Sequence, residues 1–359
     1  MKIASPNLSA KEIDLLSRFP IRFEEGNFAD YMWGGHELYK LKGMICDSSE
    51  PVAAESWEIS GHPKYPSRIH LPGGAPFTFL ELLYDINIAK QILGPKVVQK
   101  FSNDFPALIK FFDVQKHMSV QVHPSDHVAN QWGETDPGKG EVFIVLETYA
   151  NAESALYLGL KEDVDQKQFE LALNEGKNLL EYMHKVHVQP GEVYALPSGV
   201  IHCWTGGTMA VEITEPSDLT YRLYDFGRGR PMHLEKGLAA INFEIQNGPN
   251  LEKTTKVDWQ PSLIPDLEEV PNDNCLRIER IHLNATKGAI DIPTDHTFDA
   301  LMAIDGLVEL SSDTGDWEVR LNKGFSMLIP AGAGDYTVRN LAGESASQVL
   351  RITARVEDN

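Results

Sequence analysis

Two stretches of the chain, residues 186–207 and 319–340, share one pattern of turn residues. In each, a glycine precedes a proline by six residues, and apolar residues lie between them. Glycine and proline interrupt regular structure, so each stretch predicts short strands around a buried apolar run. Ahead of the second stretch, LMAIDGLVEL predicts a hairpin with a two-residue turn at Asp305-Gly306. Repeated short strands predict a mainly β chain with two jelly-roll β-barrels in tandem. The paired turn residues are Gly191, Pro197, Gly324 and Pro330.

This glycine-to-proline pattern resembles the second conserved motif of the cupin superfamily, but the two copies differ after the proline. The first copy places His202 five residues after its proline, whereas the second has Asp335 at the matching place. Beyond residue 245 the histidines are His282 and His296, and neither joins a cluster of metal-ligand residue types. We therefore expect the first barrel to carry the chemistry and the second to be a structural partner.

A few helices are expected at the periphery of the barrels. Apolar spacing predicts a short amphipathic helix from Ser9 to Arg18 and a second helix from Asp85 to Phe101, which Gly94-Pro95 interrupts. The clearest helix runs from Asp165 to Asn174, because Asp165 can cap it with Gln168 three residues later.

Composition and charge restrict the partners of the chain. The formal net charge is −20, so nucleic acid and anionic lipid should be repelled. No run of 18 apolar residues and no apolar core of a signal peptide is present. The three cysteines have no paired spacing, which favours a reducing, cytoplasmic location over a disulfide framework. No obligatory protein partner is inferred.

Metal-ligand residue types recur at strand-like spacing. Gln121 and His123 are two residues apart in SVQVHPSD, and a period of two sends both side chains to one face of a strand. Lys139 and Glu141 repeat this arrangement ahead of an apolar run, and His202 follows the first repeated proline. Two imidazoles, a carboxylate and an amide oxygen suit zinc and leave a position for water or substrate. The same set could hold iron, cobalt or manganese, because affinity alone does not select the metal.

Five blocks of the sequence together resemble type I phosphomannose isomerases of the shorter bacterial form. They are AESWEISGHP, LIKFFDVQKHMSVQVHPSD, GKGEVFIVLE, LPSGVIHCWTGGTMAVEI and SDLTYRLYDFGR, and they occur in the order of that family. The resemblance covers roughly residues 31–230, with a weaker second cupin beyond it. It implies a metal-binding catalytic cupin domain at residues 1–245, with a short helical insertion near 161–183, and a cupin-like domain without metal ligands at 246–359.

The resemblance also implies a reaction and a set of site residues. The family interconverts mannose 6-phosphate and fructose 6-phosphate, so a phosphorylated hexose is the expected substrate. One zinc ion per chain is implied, with other divalent metals as alternatives, and its implied ligands are Gln121, His123, Glu141 and His202. Substrate or catalytic roles are implied for Trp33, His62, Lys110, Lys139, Glu212, Asp218 and Arg222. The sequence departs from the family pattern before Trp33 and at Thr214-Glu215-Pro216, which bears on sugar selectivity.

Several roles stay open at the level of sequence. An aldose–ketose exchange moves a proton between C1 and C2 through an enediolate, and Glu212 is the first candidate for the general base. A metal-bound water or His62 could serve instead. Asp218 and Arg222 would face each other in a helical turn but not in an extended loop.

The phosphate requires cations, and the sequence offers three leading candidates. These are Lys110, Lys139 and Arg222, with Arg228 and Arg230 as weaker additions. Trp33 is expected to form an apolar wall against the sugar. Two other functions remain compatible with the same residues. One is a metal cupin with different chemistry, either an isomerase of another sugar phosphate or an oxygenase. The other is a sugar-phosphate-binding protein without turnover.

Overall fold

The computed structural model describes residues 4–47, 49–150, 152–272 and 274–356. Its helices are α1 Ala10–Arg18, α2 Glu37–Leu41, α3 Phe79–Leu83, α4 Ile86–Leu93, α5 Pro95–Phe101, α6 Asp126–Gln131, α7 Gln166–Asn174, α8 Leu234–Ala240 and α9 Gly248–Thr255. Its strands up to residue 257 are β1 Phe28–Ala29, β2 Glu55–Ser60, β3 Arg68–Ile69, β4 Phe77–Thr78, β5 Leu108–Val114, β6 Val120–Val122, β7 Glu141–Thr148, β8 Ala155–Leu160, β9 Met183–His187, β10 Val193–Leu196, β11 His202–Trp204, β12 Thr208–Thr214, β13 Tyr221–Tyr224 and β14 Lys256–Val257. The later strands are β15 Gln260–Pro261, β16 Glu268–Glu269, β17 Leu276–Leu283, β18 Ala289–Ile292, β19 Asp299–Asp305, β20 Leu307–Ser312, β21 Glu318–Asn322, β22 Ser326–Ile329, β23 Tyr336–Asn340 and β24 Ser347–Ala354.

The three predicted helices are confirmed, together with the residues that bound them. Ser9 forms a capping box with Glu12 at the start of α1, and Asp165 forms one with Gln168 at the start of α7. Gly94 separates α4 from α5 with a φ of 99°, a backbone conformation that favours glycine. Within the described ranges, every helix is too short or too polar to cross a bilayer.

The first sandwich, formed by β1, β2 and β5–β14, consists of two facing antiparallel sheets. The larger sheet has the order β1-β2-β5-β12-β7-β10-β14, and the smaller has the order β13-β6-β11-β8-β9. Side chains of both sheets meet in one apolar cluster, which includes Val114 and Phe143 from the larger sheet and Leu156 and Trp204 from the smaller. The helical insertion with α7 and helix α8 pack on the outer face of the smaller sheet.

The second sandwich, formed by β15–β24, repeats this arrangement in the C-terminal part of the chain. Its sheets have the orders β15-β16-β17-β24-β19-β22 and β18-β23-β20-β21. Ile281 and Leu301 of one sheet pack against Leu310 and Val338 of the other. The predicted mainly β fold is confirmed. The division at residue 245 stays a prediction, and α9 and β14, which follow it, contact the first sandwich through β8 and β10.

The predicted hairpin at Asp305-Gly306 is wrong. The strands on either side of it, β19 and β20, belong to different sheets of the second sandwich. Gly306 has a φ of 70°, and a Cβ at this position would lie 2.2 Å from Oγ of Ser347. The dipeptide therefore carries the chain across the sandwich rather than back along the same sheet.

The two sandwiches share a large apolar core between them. It joins the outer face of the larger first sheet, through residues such as Ile109 and Ile144, to Ile278 and Ile352 of the second sandwich. A buried ion pair lies at the same boundary, where Nζ of Lys42 is 2.6 Å from Glu58 and Ser326 of β22 donates to that glutamate. The first sandwich is thus supported from behind, opposite the face that carries the candidate site.

Candidate metal centre and substrate pocket

A cavity of about 360 Å³ lies at the first sandwich, beside the strands that carry the predicted ligands. All the predicted site residues line it except His62, His202 and the weaker candidate Arg228, which instead contacts His117 and Asp225. Strands β5, β6, β7 and β12 supply Lys110, Gln121, Glu141 and Glu212, so most of the chemistry is held by rigid sheet rather than by loops. The remaining predicted residues in the wall are Trp33, His123, Lys139, Asp218 and Arg222.

Three of the four predicted metal ligands meet at one point. Ligand atoms of His123, Glu141 and His202 lie within 4.8 Å of one another, and all three side chains are buried. Nε2 of His123 is 3.0 Å from Oε1 of Glu141, and Nε2 of His202 is 3.4 Å from Oε2. Strand pairing explains this convergence. His202 of β11 is paired with Gln121 of β6, and Glu141 lies in the sheet that faces them.

Hydrogen bonds behind the imidazoles fix which nitrogen faces the cluster. Nδ1 of His123 donates to the carbonyl of Leu219 at 2.8 Å, and Nδ1 of His202 donates to that of Val200 at 3.1 Å. Each ring therefore presents an unprotonated Nε2 to the centre, as metal-ligating histidines do. Burial lowers the pKa of both imidazoles, that of His202 to about 4, although Glu141 opposes the shift.

The cluster leaves buried polar atoms without hydrogen-bond partners among the described residues. They are Nε2 of His123 and both carboxylate oxygens of Glu141, although Oε1 of Glu141 also lies 2.8 Å from the ammonium group of Lys139. Burial raises the pKa of Glu141, but His123 and Lys139 outweigh it and hold that pKa well below the usual range. A buried ionised carboxylate that faces two imidazole lone pairs is costly unless a cation lies between them. The donor set therefore fits a divalent metal ion.

Gln121 can complete this donor set. Its Nε2 lies 3.2 Å from Nε2 of His202, and its Oε1 accepts from Oγ of Ser119 at 3.0 Å. Rotating the amide by half a turn exchanges two atoms of nearly equal size. Ser119 can accept as well as donate, so the exchange keeps that hydrogen bond and turns the amide oxygen toward the cluster.

A second group of buried charges lies next to the ligands. Nζ of Lys110 is 3.0 Å from Glu212, 3.4 Å from Glu55 and 3.8 Å from Asp218. Nζ of Lys139 is 2.8 Å from Glu141 and 3.8 Å from Glu212. Glu212 therefore lies between two ammonium groups, one of which also contacts a ligand.

The pKa of Glu212 reflects this position. Its pKa is raised to about 8, mainly by burial and also by Glu141, although Lys110 and Lys139 lower it. Burial lowers the pKa of Lys110, but its carboxylate neighbours outweigh this effect and raise that pKa well above the ordinary value. Lys110 and Lys139 therefore keep their positive charges. Glu212 is the carboxyl group of this cluster whose pKa is raised toward neutral pH.

Asp218 and Arg222 do not form a pair with each other. Arg222 lies in strand β13, so the extended alternative applies, and its Nε donates to the carbonyl of Pro231 at 3.1 Å. Asp218 instead contacts Lys64 at 2.5 Å, in addition to Lys110. Burial raises the pKa of Asp218, but the two lysines outweigh it and lower that pKa overall.

His62 lies outside the cavity wall, behind Asp136. Its Nε2 is 3.1 Å from Oδ2 of Asp136, and the same oxygen accepts from the backbone N–H of Asp218. Trp33 does line the cavity, where its ring stacks on Tyr31 at 5.9 Å between centroids. Trp33 is thus a buried apolar part of the cavity wall, and its contact with the sugar stays a prediction. His62 reaches the cavity only through Asp136.

The residues of the wall that sequence reasoning missed include Tyr31, Glu55, Lys64 and Asp136. Lys64 follows His62 by two residues, directly after the block AESWEISGHP, and its Nζ also lies 2.7 Å from the hydroxyl of Tyr31. That spacing was the available signal. Glu55 lies inside the block, but it reaches Lys110 through the pairing of β2 with β5, which no local pattern specifies.

The fold and the site together define a β-sandwich protein with a centre that can hold a metal ion. Residues 23–142 match the family model of the phosphomannose isomerase type I catalytic domain. This part of the chain therefore resembles the catalytic domain of type I phosphomannose isomerases, and the resemblance predicted from the sequence is confirmed.

Curated relatives and solved structures that are named as mannose-6-phosphate isomerases align with this chain. Mannose-6-phosphate isomerase ManA of Bacillus subtilis is 27% identical over 322 residues, which are 88% of this chain and 94% of that protein. Mannose-6-phosphate isomerase of Streptococcus mutans is 32% identical over 218 residues, 58% of this chain and 64% of that protein. The crystal structure of the mannose 6-phosphate isomerase from Bacillus subtilis matches with a TM-score of 0.76 at 23% identity, covering 92% of this chain and 99% of that one. This last similarity shows the fold.

Proposed function

We propose that the chain is a metal-dependent aldose–ketose isomerase that interconverts mannose 6-phosphate and fructose 6-phosphate. One observation carries the proposal: a cluster of metal-ligand side chains and a carboxylate held between two lysines line the same cavity. A Lewis acid beside a base of near-neutral pKa is what a proton transfer next to a carbonyl requires. The type I catalytic-domain match and the names of the relatives support the same reaction.

The proposed metal is one zinc ion per chain, held by Gln121, His123, Glu141 and His202, with other divalent metals as alternatives. When bound, the ion would supply Lewis-acid polarisation of the sugar oxygens. The two histidines present neutral nitrogens and Glu141 an anionic oxygen, as such a site needs.

Side chains of the chain itself are proposed to transfer the proton between the two substrate carbons and to stabilise the negative charge of the enediolate. Glu212 is the proposed general base, since its carboxylate is buried in the cavity with a pKa near the pH of the cytosol. It takes the proton from one carbon of the substrate and returns it to the other. Lys110 and Lys139, both charged, stabilise the enediolate oxygens that develop beside it. Asp218, which Lys64 and Lys110 hold ionised, is proposed to take the proton of the anomeric hydroxyl and to pass it to the ring oxygen as the ring opens.

The phosphate is proposed to bind at the rim of the cavity. Lys110 and Lys139 are buried in ion pairs, which leaves the more exposed Lys64, Arg222 and Arg230 as its partners. Arg222 forms no ion pair within the part of the chain that the structure describes. A guanidinium offers two parallel donors to a phosphate, whereas Lys64 offers a point charge.

The remaining assignments are part of the same proposal. Residues 1–245 form the catalytic cupin domain and residues 246–359 the cupin-like domain. A cytoplasmic location is supported by the free state of Cys46, Cys203 and Cys275. A phosphorylated hexose is the proposed partner, and nucleic acid and membrane are excluded on the ground of net charge.

The direct test is exchange of the C1 or C2 proton of mannose 6-phosphate with solvent deuterium, followed by NMR. We expect exchange and formation of fructose 6-phosphate by the purified chain, and loss of both after treatment with a chelator. His202→Ala should lose the metal and the exchange together, while His187→Ala, an exposed site, should retain both.

Three outcomes would contradict the proposal. Wild-type-like turnover by His202→Ala would remove the metal centre from the mechanism. Binding of mannose 6-phosphate without proton exchange would indicate a binding protein, and oxygen consumption by the iron-loaded chain would indicate an oxygenase.

A further inference from the structure

The two sandwiches correspond strand by strand. In the larger sheets, the neighbours β5-β12-β7-β10 of the first match β17-β24-β19-β22 of the second. In the smaller sheets, β6-β11-β8-β9 match β18-β23-β20-β21. The repeated glycine-to-proline stretches fix the alignment, because β10 ends just before Pro197 and β22 ends just before Pro330.

The ladder register extends this alignment to single residues of the site. Glu141 opposes Leu196, the residue before the first proline, and Asp299 opposes Ile329, the residue before the second. Asp299 therefore occupies the position of the metal-ligand carboxylate.

The same counting places two further residues of the larger sheet. Ile213 opposes the residue after Glu141, and Ile352 opposes the residue after Asp299. Arg351 consequently occupies the position of Glu212. Across the next pairing, Lys110 opposes Glu212 and Glu279 opposes Arg351. The ion pair is present in both copies with its charges exchanged.

In the smaller sheets, the two copies are aligned by the side chains that point into the sandwich interior, not by the number of residues after the proline. His202 opens β11 with its side chain in the sandwich interior, and Tyr336 opens β23 with its ring in the second interior. Asp335, which sequence spacing aligned with His202, instead accepts from Thr294 at the surface. Gln121 pairs with His202, and Ile292 pairs with Tyr336. One metal-ligand position has therefore become apolar.

These second-copy residues form a buried and connected group. Nη2 of Arg351 lies 2.7 Å from Oδ1 of Asp299 in an ion pair, and Nη1 donates to Glu279. The hydroxyl of Tyr336 donates to Oδ2 of Asp299 at 2.8 Å. The side chains of the arginine and both carboxylates are at most 1% exposed. The guanidinium thus contacts the counterpart of Glu141, beside the counterpart of His202.

We propose that the second sandwich holds a degenerate copy of the metal centre, in which the guanidinium of Arg351 takes the place of the metal ion. The cation at this site is supplied by the chain itself, and it is the planar, monovalent guanidinium group of Arg351. The comparison rests on the proposed metal centre of the first sandwich, but the role of Arg351 is tested independently of catalysis.

The first test removes the internal cation. Arg351→Ala should lower the thermal midpoint of unfolding, and a low concentration of guanidinium chloride should raise that midpoint more than an equal concentration of sodium chloride does. Arg320→Ala, an exposed arginine of the same sandwich, should show neither the loss nor the rescue. Equal responses of Arg351→Ala to the two salts, or a midpoint equal to that of wild type, would overturn the proposal.

If Arg351→Ala fails to fold, a variant in which all three buried charges are replaced by neutral side chains tests whether Arg351 acts by compensating the two carboxylates. The triple change Glu279→Gln, Asp299→Asn and Arg351→Met should fold and regain most of the wild-type midpoint, because no uncompensated charge remains. A triple variant that also fails to fold would contradict a charge-compensating role.

Metal content gives a separate reading on folded protein. After incubation with zinc and removal of the excess, wild type should retain one ion and His202→Ala none. A second ion per chain retained by wild type would place a metal outside the first centre and refute the proposal, whereas absence of metal from wild type would refute the proposed function instead.

Discussion

Replacing Glu212 by glutamine separates its role in proton transfer from its role in the buried charge cluster. The amide has nearly the same volume as the carboxylate but cannot accept a proton from carbon. Lys110 keeps Glu55 at 3.4 Å and Asp218 at 3.8 Å, and Lys139 keeps Glu141 at 2.8 Å. No ammonium group is left without an anion, so the change alters the chemistry more than the fold.

The two expected magnitudes follow from these contacts. Loss of a positioned general base lowers kcat by about 10²–10⁴-fold, which is about 3–5 kcal/mol of transition-state stabilisation. Stranding a buried charge costs about 3–5 kcal/mol of folding free energy, but Glu212→Gln strands none and should cost only about 1–2 kcal/mol. The loss of activity should therefore exceed the loss of stability.

The assay combines initial rates with mannose 6-phosphate, urea unfolding and metal content after desalting. Glu55→Gln is the matched control, since it removes another carboxylate that contacts Lys110 in the same cavity. We expect kcat of the control to stay within about tenfold of wild type. A Glu212→Gln variant with kcat similar to that of the control would refute the assignment of the base.

Three further changes test other parts of the structure. Lys64→Ala should raise KM for mannose 6-phosphate roughly tenfold with a smaller effect on kcat, because a charge-assisted phosphate contact is lost; an unchanged KM in steady-state kinetics would place the phosphate elsewhere. Lys42→Met should cost about 3–5 kcal/mol in urea unfolding, because it leaves the buried carboxylate of Glu58 without a cation. Lys40→Met, on the exposed side of the same segment, should cost less than about 0.5 kcal/mol, and equal losses would argue against the buried pair. Asp165→Ala should cost about 1 kcal/mol through loss of the cap of α7, whereas the exposed Asp163→Ala should be close to neutral in the same measurement.

Local sequence patterns predicted correctly those features of the structure that depend on residues close together in the sequence. The caps at Ser9 and Asp165 act within three residues, and the helices begin where the caps predict. Period-two alternation placed Gln121 and His123 on one face, and both line the cavity. Each of these features needs only the geometry of a single strand or turn.

Pairing between distant segments was not accessible in the same way. Asp305-Gly306 has hairpin chemistry, yet Ser347 packs against Gly306 and the next strand enters the other sheet. Tyr336, rather than Asp335, matches His202, because the second copy has one extra residue between the proline and the strand. A shift of one residue turns every side chain of a strand to the opposite face, and only the ladder register reveals it.

The electrostatics of the two sandwiches explain why a single one has a reactive centre. In the first, four carboxylic groups contact three lysines, and Glu141 also faces two neutral imidazoles, so a cation from solution would offset the negative charge that remains at Glu141. In the second, Arg351 already lies between two carboxylates and needs no exchangeable ion. A buried charge supplied by the chain stabilises the fold but offers no open coordination position to a substrate. The same pair of strand positions therefore supports catalysis where the cation comes from solution, and only packing where it comes from the sequence.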